Sequence, residues 1–113
     1  MIKLFGIPNC DTVKKARTYL EKKKLDYEFV DFKKTPPQTS DILRWKEAMG
    51  EWPVNKKGLT FKKYKTEFEA LAVSKIPAFL SEHSSMIRRP ILEKNGKFFA
   101  AGFDEAKYGL LVT

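Results

Sequence analysis

The stretch Ile2-Lys3-Leu4-Phe5-Gly6-Ile7-Pro8-Asn9-Cys10-Asp11-Thr12-Val13 decides how the rest of the chain is read. Ile2 to Phe5 is an apolar run and predicts a short buried strand over 2–6. From Thr12 to Lys24, Val13, Ala16 and Leu20 share one side, with Tyr19 at its margin, and most charged residues lie elsewhere. That spacing predicts a helix over 12–24. Gly6 and Pro8 punctuate the turn, and Asn9 or Asp11 can cap the helix. Cys10, the only cysteine, falls at the handover from strand to helix.

A lone cysteine is more often a buried small hydrophobe than a reactive group. Here the polar neighbours Asn9, Asp11 and Thr12 argue against burial. The first turn of a helix has N–H groups without intrahelical partners and carries the positive end of the helix dipole. A thiolate placed there is stabilised, and the same N–H array binds oxyanions. Cys10 is therefore the candidate nucleophile.

The chain of 113 residues is one domain's worth, long enough to bury a core without staples. A single cysteine cannot make an internal disulfide, which fits a reducing compartment and predicts a cytoplasmic protein. The first residues lack an h-region followed by small residues, so they read as a strand and not as a signal peptide. No apolar run is long enough to span a membrane. The net charge of +8 admits nucleic acid, an acidic protein surface or small anions as partners. The lysines are scattered in pairs, without alternating aromatics, helix-turn-helix or zinc-ligand spacing, so they read as solvated surface. No metal site and no direct nucleic-acid binding are expected, and the chain is expected to be a monomer.

Onward, Tyr27 to Phe32 is aromatic and β-branched and predicts a second strand, parallel to the first across a βαβ unit. Pro36-Pro37 fixes a loop. Thr39 or Ser40 is expected to cap a helix ending at Gly50, with Ile42, Leu43, Trp45, Ala48 and Met49 as its apolar positions. Residues 51–60 read as broken by Pro53 and Gly58. Thr66 and Glu69 have capping-box spacing, which predicts a short helix from there to about Ser74. Another helix is expected over 76–83, with Pro77 in its first turn. His83 reads as an exposed capping residue, and Trp45 and Trp52 as packing. Asn95-Gly96 is a strong hairpin signal, flanked by strands at 91–94 and 97–101, and 104–111 predicts a closing helix. The order gives an α/β, thioredoxin-type arrangement: βαβ, a helical middle, a β-hairpin and a C-terminal helix.

Gly6-Ile7-Pro8-Asn9-Cys10-Asp11-Thr12-Val13-Lys14-Lys15-Ala16, Thr35-Pro36-Pro37 and Arg89-Pro90-Ile91-Leu92 resemble, in this order, the arsenate reductase (ArsC) family. The YffB-type branch looks nearest, with the Spx/MgsR-type regulators related to it. The resemblance runs from Ile2 to about Leu111. It implies a thioredoxin-like fold with a mixed four-stranded sheet and a helical insertion at about 36–86, in one ArsC-like domain. It implies a nucleophile at Cys10 and a cis bond before Pro90. Asn9, Asp11, Thr12, Asn55, Arg89 and Pro90 are the implied substrate or anion contacts. Arsenate reductases similar to this chain surround the anion with three arginines. Arg89 matches one, Asn55 stands in place of another, and Gly102-Phe103 stand in place of the last. No bound cofactor is implied; glutathione is the expected co-substrate and glutaredoxin a further partner. The regulators carry Cys-x-x-Cys, but Val13 occupies the second cysteine's place, so a redox cycle needs an external thiol. The alternatives are an Spx-like regulator bound to RNA polymerase and a genuine arsenate reductase.

Overall fold

The computed structural model describes residues 1–112. The backbone divides into two compact units. The first comprises Met1–Thr35 and the chain from Arg89 onward; the second is Pro36–Arg88.

The first unit is built on a four-stranded sheet. Its strands are β1 (Ile2–Gly6), β2 (Tyr27–Asp31), β3 (Ile91–Lys94) and β4 (Lys97–Ala101), in the spatial order β2-β1-β3-β4. β1 runs parallel to β2, with Leu4 opposite Phe29, and antiparallel to β3, with Leu4 opposite Leu92. The parallel pair requires a crossover, and α1 (Asp11–Lys22) supplies it. Asn95 and Gly96 both have positive φ, 54° and 78°, which closes the β3–β4 hairpin as their sequence predicts. Between Leu92 and Glu93 the register with β4 shifts, leaving Phe99 as the extra residue of a bulge.

Alternation along β1 sends Ile2 and Leu4 to one face, where Ala16 and Leu20 of α1 meet Leu92, Ala100, Tyr108 and Leu111 in a buried cluster. α5 (Glu105–Gly109) closes that face and passes into a 3-10 turn at Leu110–Val112. Asp104 caps α5, its Oδ1 accepting from Ala106 N at 3.0 Å and from Lys107 N at 3.4 Å. The mixed sheet and the βαβ start match the thioredoxin-like expectation.

The second unit holds α2 (Thr39–Met49), α3 (Leu59–Glu69) and α4 (Ile76–Glu82). Two expectations for α2 are corrected. Neither Thr39 nor Ser40 caps it: the N-cap is Gln38, whose N–H donates to the Asp41 carboxylate at 3.0 Å. Ile42 and Trp45 are buried and Met49 half-buried, whereas Leu43 and Ala48 fall on the exposed side. Gly50 ends the helix at φ 76° as expected.

The region between Gly58 and Ser74 differs more. Leu59–Glu69 is one helix, starting at Gly58, and Thr66 to Glu69 is its last turn and not the start of a new one. Phe61, Tyr64 and Phe68 recur at helical spacing, and Phe61 and Phe68 meet edge-on at 5.9 Å. Burial of that stripe outweighs the local capping signature. Residues Val73–Lys75 form a separate 3-10 turn. His83 ends α4 but is not an exposed cap: half-buried, its ring lies 4.5 Å from Tyr64 and 4.4 Å from Phe79. Trp45 is fully buried, as a packing role requires, and the half-buried Trp52 carries the Lys46 ammonium 4.9 Å from its ring centre.

Candidate functional site

Cys10 is itself the N-cap of α1. It has extended backbone angles (φ −104°, ψ 127°), and its carbonyl accepts the first helical bond, from Lys14 N at 2.9 Å. The helix thus begins at Asp11, one residue earlier than the apolar spacing suggested, and neither Asn9 nor Asp11 caps it. The sulfur makes no capping hydrogen bond. The N–H groups of Asp11, Thr12 and Val13 precede the first intrahelical donor, so they form the orphan array of a helix start beside the thiol. Cys10 is free and half-buried, Asn9 and Asp11 are exposed, and Thr12 is half-buried.

The strand and helix that hold Cys10 are locked together. Phe32 N donates to Gly6 O at 2.8 Å, extending the β1–β2 pairing to the last residue of β1. Val13, fully buried, lies directly over Gly6. The absence of a side chain at Gly6 lets the first turn of α1 sit close to the end of β1, with Cys10 at the junction between them.

Arg89 and Pro90 stand immediately before β3. Because Phe5 pairs with Ile91, the next position outward brings the Arg89-Pro90 segment to the same end of the sheet as the Gly6–Cys10 loop. The Arg89–Pro90 bond is cis, as the resemblance implied. Pro90 O accepts from Gly102 N at 2.8 Å, so the end of β4 holds the segment in place. Arg89 is half-buried.

Asn55 belongs to the second unit, in a turn of its own. Its N–H donates to Met86 O at 2.8 Å, and its Oδ1 accepts from Lys57 N at 3.3 Å, an Asx-type turn leading toward Gly58. Of the predicted residues, the first unit therefore assembles Cys10, Asn9, Asp11, Thr12, Arg89 and Pro90 at one end of its sheet.

Sequence reasoning missed a polar chain between α1 and β2, toward the opposite end of the sheet, where Tyr27 pairs with Ile2. Arg17 Nε donates to the Tyr27 hydroxyl at 3.0 Å, which donates to Glu21 Oε2 at 2.6 Å, and the guanidinium lies 4.3 Å from the Phe29 ring centre. Burial, then the hydrogen bond to Glu21, raises the Tyr27 phenol above its ordinary value. Arg17 and Phe29 line a shallow cavity of about 460 Å³ that reaches Pro8 in the cysteine loop. Arg17 and Glu21 stand four apart on the predicted helix, which signals their proximity; the link to Tyr27 is tertiary. Among the described residues, no group of three or more His, Cys, Asp or Glu is placed to hold a metal ion. No helix there is long and apolar enough to cross a membrane.

The ArsC family matches residues 5–110. The chain belongs to that family. Among its relatives, an uncharacterised protein of Haemophilus influenzae is 31% identical over 111 residues, 96% of each chain. The global transcriptional regulator Spx of Streptococcus pyogenes is 28% identical, over 93% of this chain and 80% of the regulator. Among solved structures, the YffB protein superposes at a TM-score of 0.86 with 32% identity, covering 100% of both chains. A possible arsenate reductase from Streptococcus mutans superposes at 0.81 with 29% identity, covering 97% of both. This ArsC-family chain thus resembles both arsenate reductase-like proteins and Spx regulators.

Proposed function

We propose that this ArsC-family protein is a glutathione-linked thiol reductase that works through Cys10 alone. The observation that carries the reading is the placement of the only cysteine at the N-cap of α1, its sulfur uncommitted to capping and the N–H groups of the first turn beside it. Those groups are free donors for an incoming anionic or sulfur group, and a cysteine thiolate is the attacking species in disulfide exchange.

The chemistry balances with glutathione as the external thiol. The Cys10 thiolate attacks one sulfur of a glutathione mixed disulfide; a Cys10–glutathione disulfide forms and the substrate leaves as a thiolate, which takes up a proton. A second glutathione, as thiolate, attacks the bound glutathione sulfur, releasing glutathione disulfide and restoring Cys10. Glutaredoxin can substitute in that second step. Asn9, Asp11 and Thr12 shape the loop and its N–H cradle, and Arg89, with Pro90 beside it, holds an anionic group such as a glutathione carboxylate. The reaction belongs to a reducing cytoplasm.

Arsenate reduction is the weaker enzymatic reading. Asn55 and Gly102-Phe103 stand where related arsenate reductases carry arginines, and each lost charge-assisted bond removes about 1.5–3 kcal/mol. Losing two weakens anion stabilisation on the order of a hundredfold or more. A regulatory reading, docking on RNA polymerase, is supported by the likeness to Spx and by the charge of +8.

The test is turnover of a glutathionylated peptide with excess glutathione. Wild-type protein should release the peptide thiol catalytically, and Cys10→Ser should reduce turnover to background. Equal turnover by both proteins sinks the reading; arsenate in place of the peptide should give far slower turnover. If wild type is inactive but forms a complex with RNA polymerase at low salt, the regulatory reading replaces it.

A further inference from the structure

Lys14, Lys15, Lys22 and Lys23 line an open groove of about 480 Å³ beside α1, together with Tyr19 and Phe103. Eight residues separate Lys14 from Lys22, which puts the lysine pairs about 12 Å apart along the helix. Glu105 is the one acidic side chain in the lining, so the groove is strongly positive. Among the described residues, none of the four lysines takes part in an ion pair.

The chemistry between the lysine pairs is apolar and already ordered. Tyr19 and Phe103 pack against each other at 5.8 Å, and both meet the buried Tyr108, at 5.9 and 4.9 Å, nearly edge-on. The Lys23 ammonium lies 5.7 Å from the Tyr19 ring centre. The aromatic rings are thus committed to one another and to a lysine, and do not offer a row of open faces for stacking bases. The cations are all flexible ammonium groups, without the planar arginine fork that reads phosphates or bases. What the groove complements is an apolar side chain bracketed by carboxylates.

We propose that this groove docks an acidic amphipathic helix of a partner protein. One apolar side chain of that helix enters beside Tyr19 and Phe103, and its carboxylates, two turns apart, reach the two lysine pairs. This is helix-in-groove recognition, with charge setting the register. It requires no thiol chemistry and stands apart from the function proposed for Cys10.

The probe is a labelled, helix-forming peptide of about 16 residues carrying glutamate pairs two turns apart around a single phenylalanine. Binding is read by fluorescence anisotropy at low salt. Wild type should bind, and Lys14→Ala with Lys22→Ala should weaken binding about tenfold, each exposed charge contributing about threefold. Lys62→Ala with Lys63→Ala on α3 removes the same charge elsewhere and should leave affinity unchanged. Replacing the phenylalanine by serine should also weaken binding. Equal losses in the two lysine variants would mean generic attraction and overturn the proposal, as would indifference to the phenylalanine or no binding at all. Tighter, groove-dependent binding of a single-stranded DNA of equal charge would overturn it in favour of a nucleic-acid surface.

Discussion

A methyl group on Gly6 would lie 2.8 Å from Cγ2 of Val13, closer than packed carbon atoms approach. Val13 is fully buried and β-branched, so it cannot swing aside cheaply. The last residue of β1 and the first turn of α1 are thereby fitted to each other, and Cys10 lies between them. Gly6→Ala should cost about 1–3 kcal/mol through overpacking. Val13→Ala alone should cost about 2–3 kcal/mol through the cavity it leaves. Combined, the two should cost clearly less than their sum, because the added methyl occupies the vacated space. Urea denaturation of the four proteins checks this, and strict additivity would show that the contact does not govern the packing.

Asp11 has two opposed effects. As the first residue of α1 its carboxylate complements the helix dipole, but it carries the same sign as a thiolate at Cys10 and as glutathione. Asp11→Asn should lower stability by about 0.5 kcal/mol. It should also speed disulfide exchange at Cys10 roughly twofold to threefold, the scale of one exposed charge. Denaturation and stopped-flow exchange on the same variant measure both.

Three residues beyond β4, Asp104 caps α5 through two N–H groups. Asp104→Ala should cost about 1 kcal/mol, and Asp104→Asn should recover most of it, since an amide oxygen also accepts the bonds. Thermal unfolding of the three proteins would show the order.

Tyr108 makes the stability of this unit depend on alkaline pH. Its ring is fully buried, its hydroxyl donates to Gly102 O at 3.1 Å, and burial pushes the phenol above its ordinary value of 10.0. Below about pH 10 both folded and unfolded chains keep the proton, and the contribution is intact. Above it the unfolded chain releases the proton first, so stability falls as pH rises. Tyr108→Phe should be somewhat less stable near neutrality, having lost the hydrogen bond, yet decline less between about pH 8 and pH 11. Tyr27, also raised, leaves part of the decline in place. Urea midpoints across that range give the comparison.

How far the sequence discloses this molecule depends on how local each signal is. β1, α1, β2 and the Asn95-Gly96 hairpin are encoded by patterns within each segment, and they stand within a residue or two of their expected bounds. α3 was hidden because two cues conflicted. Pro53 and Gly58 suggested a broken stretch over 51–60 and Thr66–Glu69 mimicked a helix start, whereas the stripe Phe61, Tyr64, Phe68 carried the true signal. Of the His83 contacts, Phe79 stands four residues back on the same helix, whereas Tyr64 comes from α3 and leaves no trace in local spacing. At the candidate site, Cys10 and its flanking residues are contiguous and therefore legible. Arg89 and Pro90 came only through the family resemblance, because β1–β3 pairing, not chain proximity, brings them to that end of the sheet.

The central claim is that the start of α1 activates Cys10 for exchange with glutathione. The most direct measurement is the rate at which glutathione disulfide forms a mixed disulfide with Cys10 in the native protein, against the rate for the same chain unfolded in urea at equal pH. Because Cys10 is the only cysteine, intact mass follows it without ambiguity. The account predicts faster reaction in the folded protein, since the helix-start N–H groups and Arg89 hold the incoming glutathione at the sulfur and outweigh the shielding of a half-buried thiol. A folded protein that reacts no faster than the unfolded chain would contradict it.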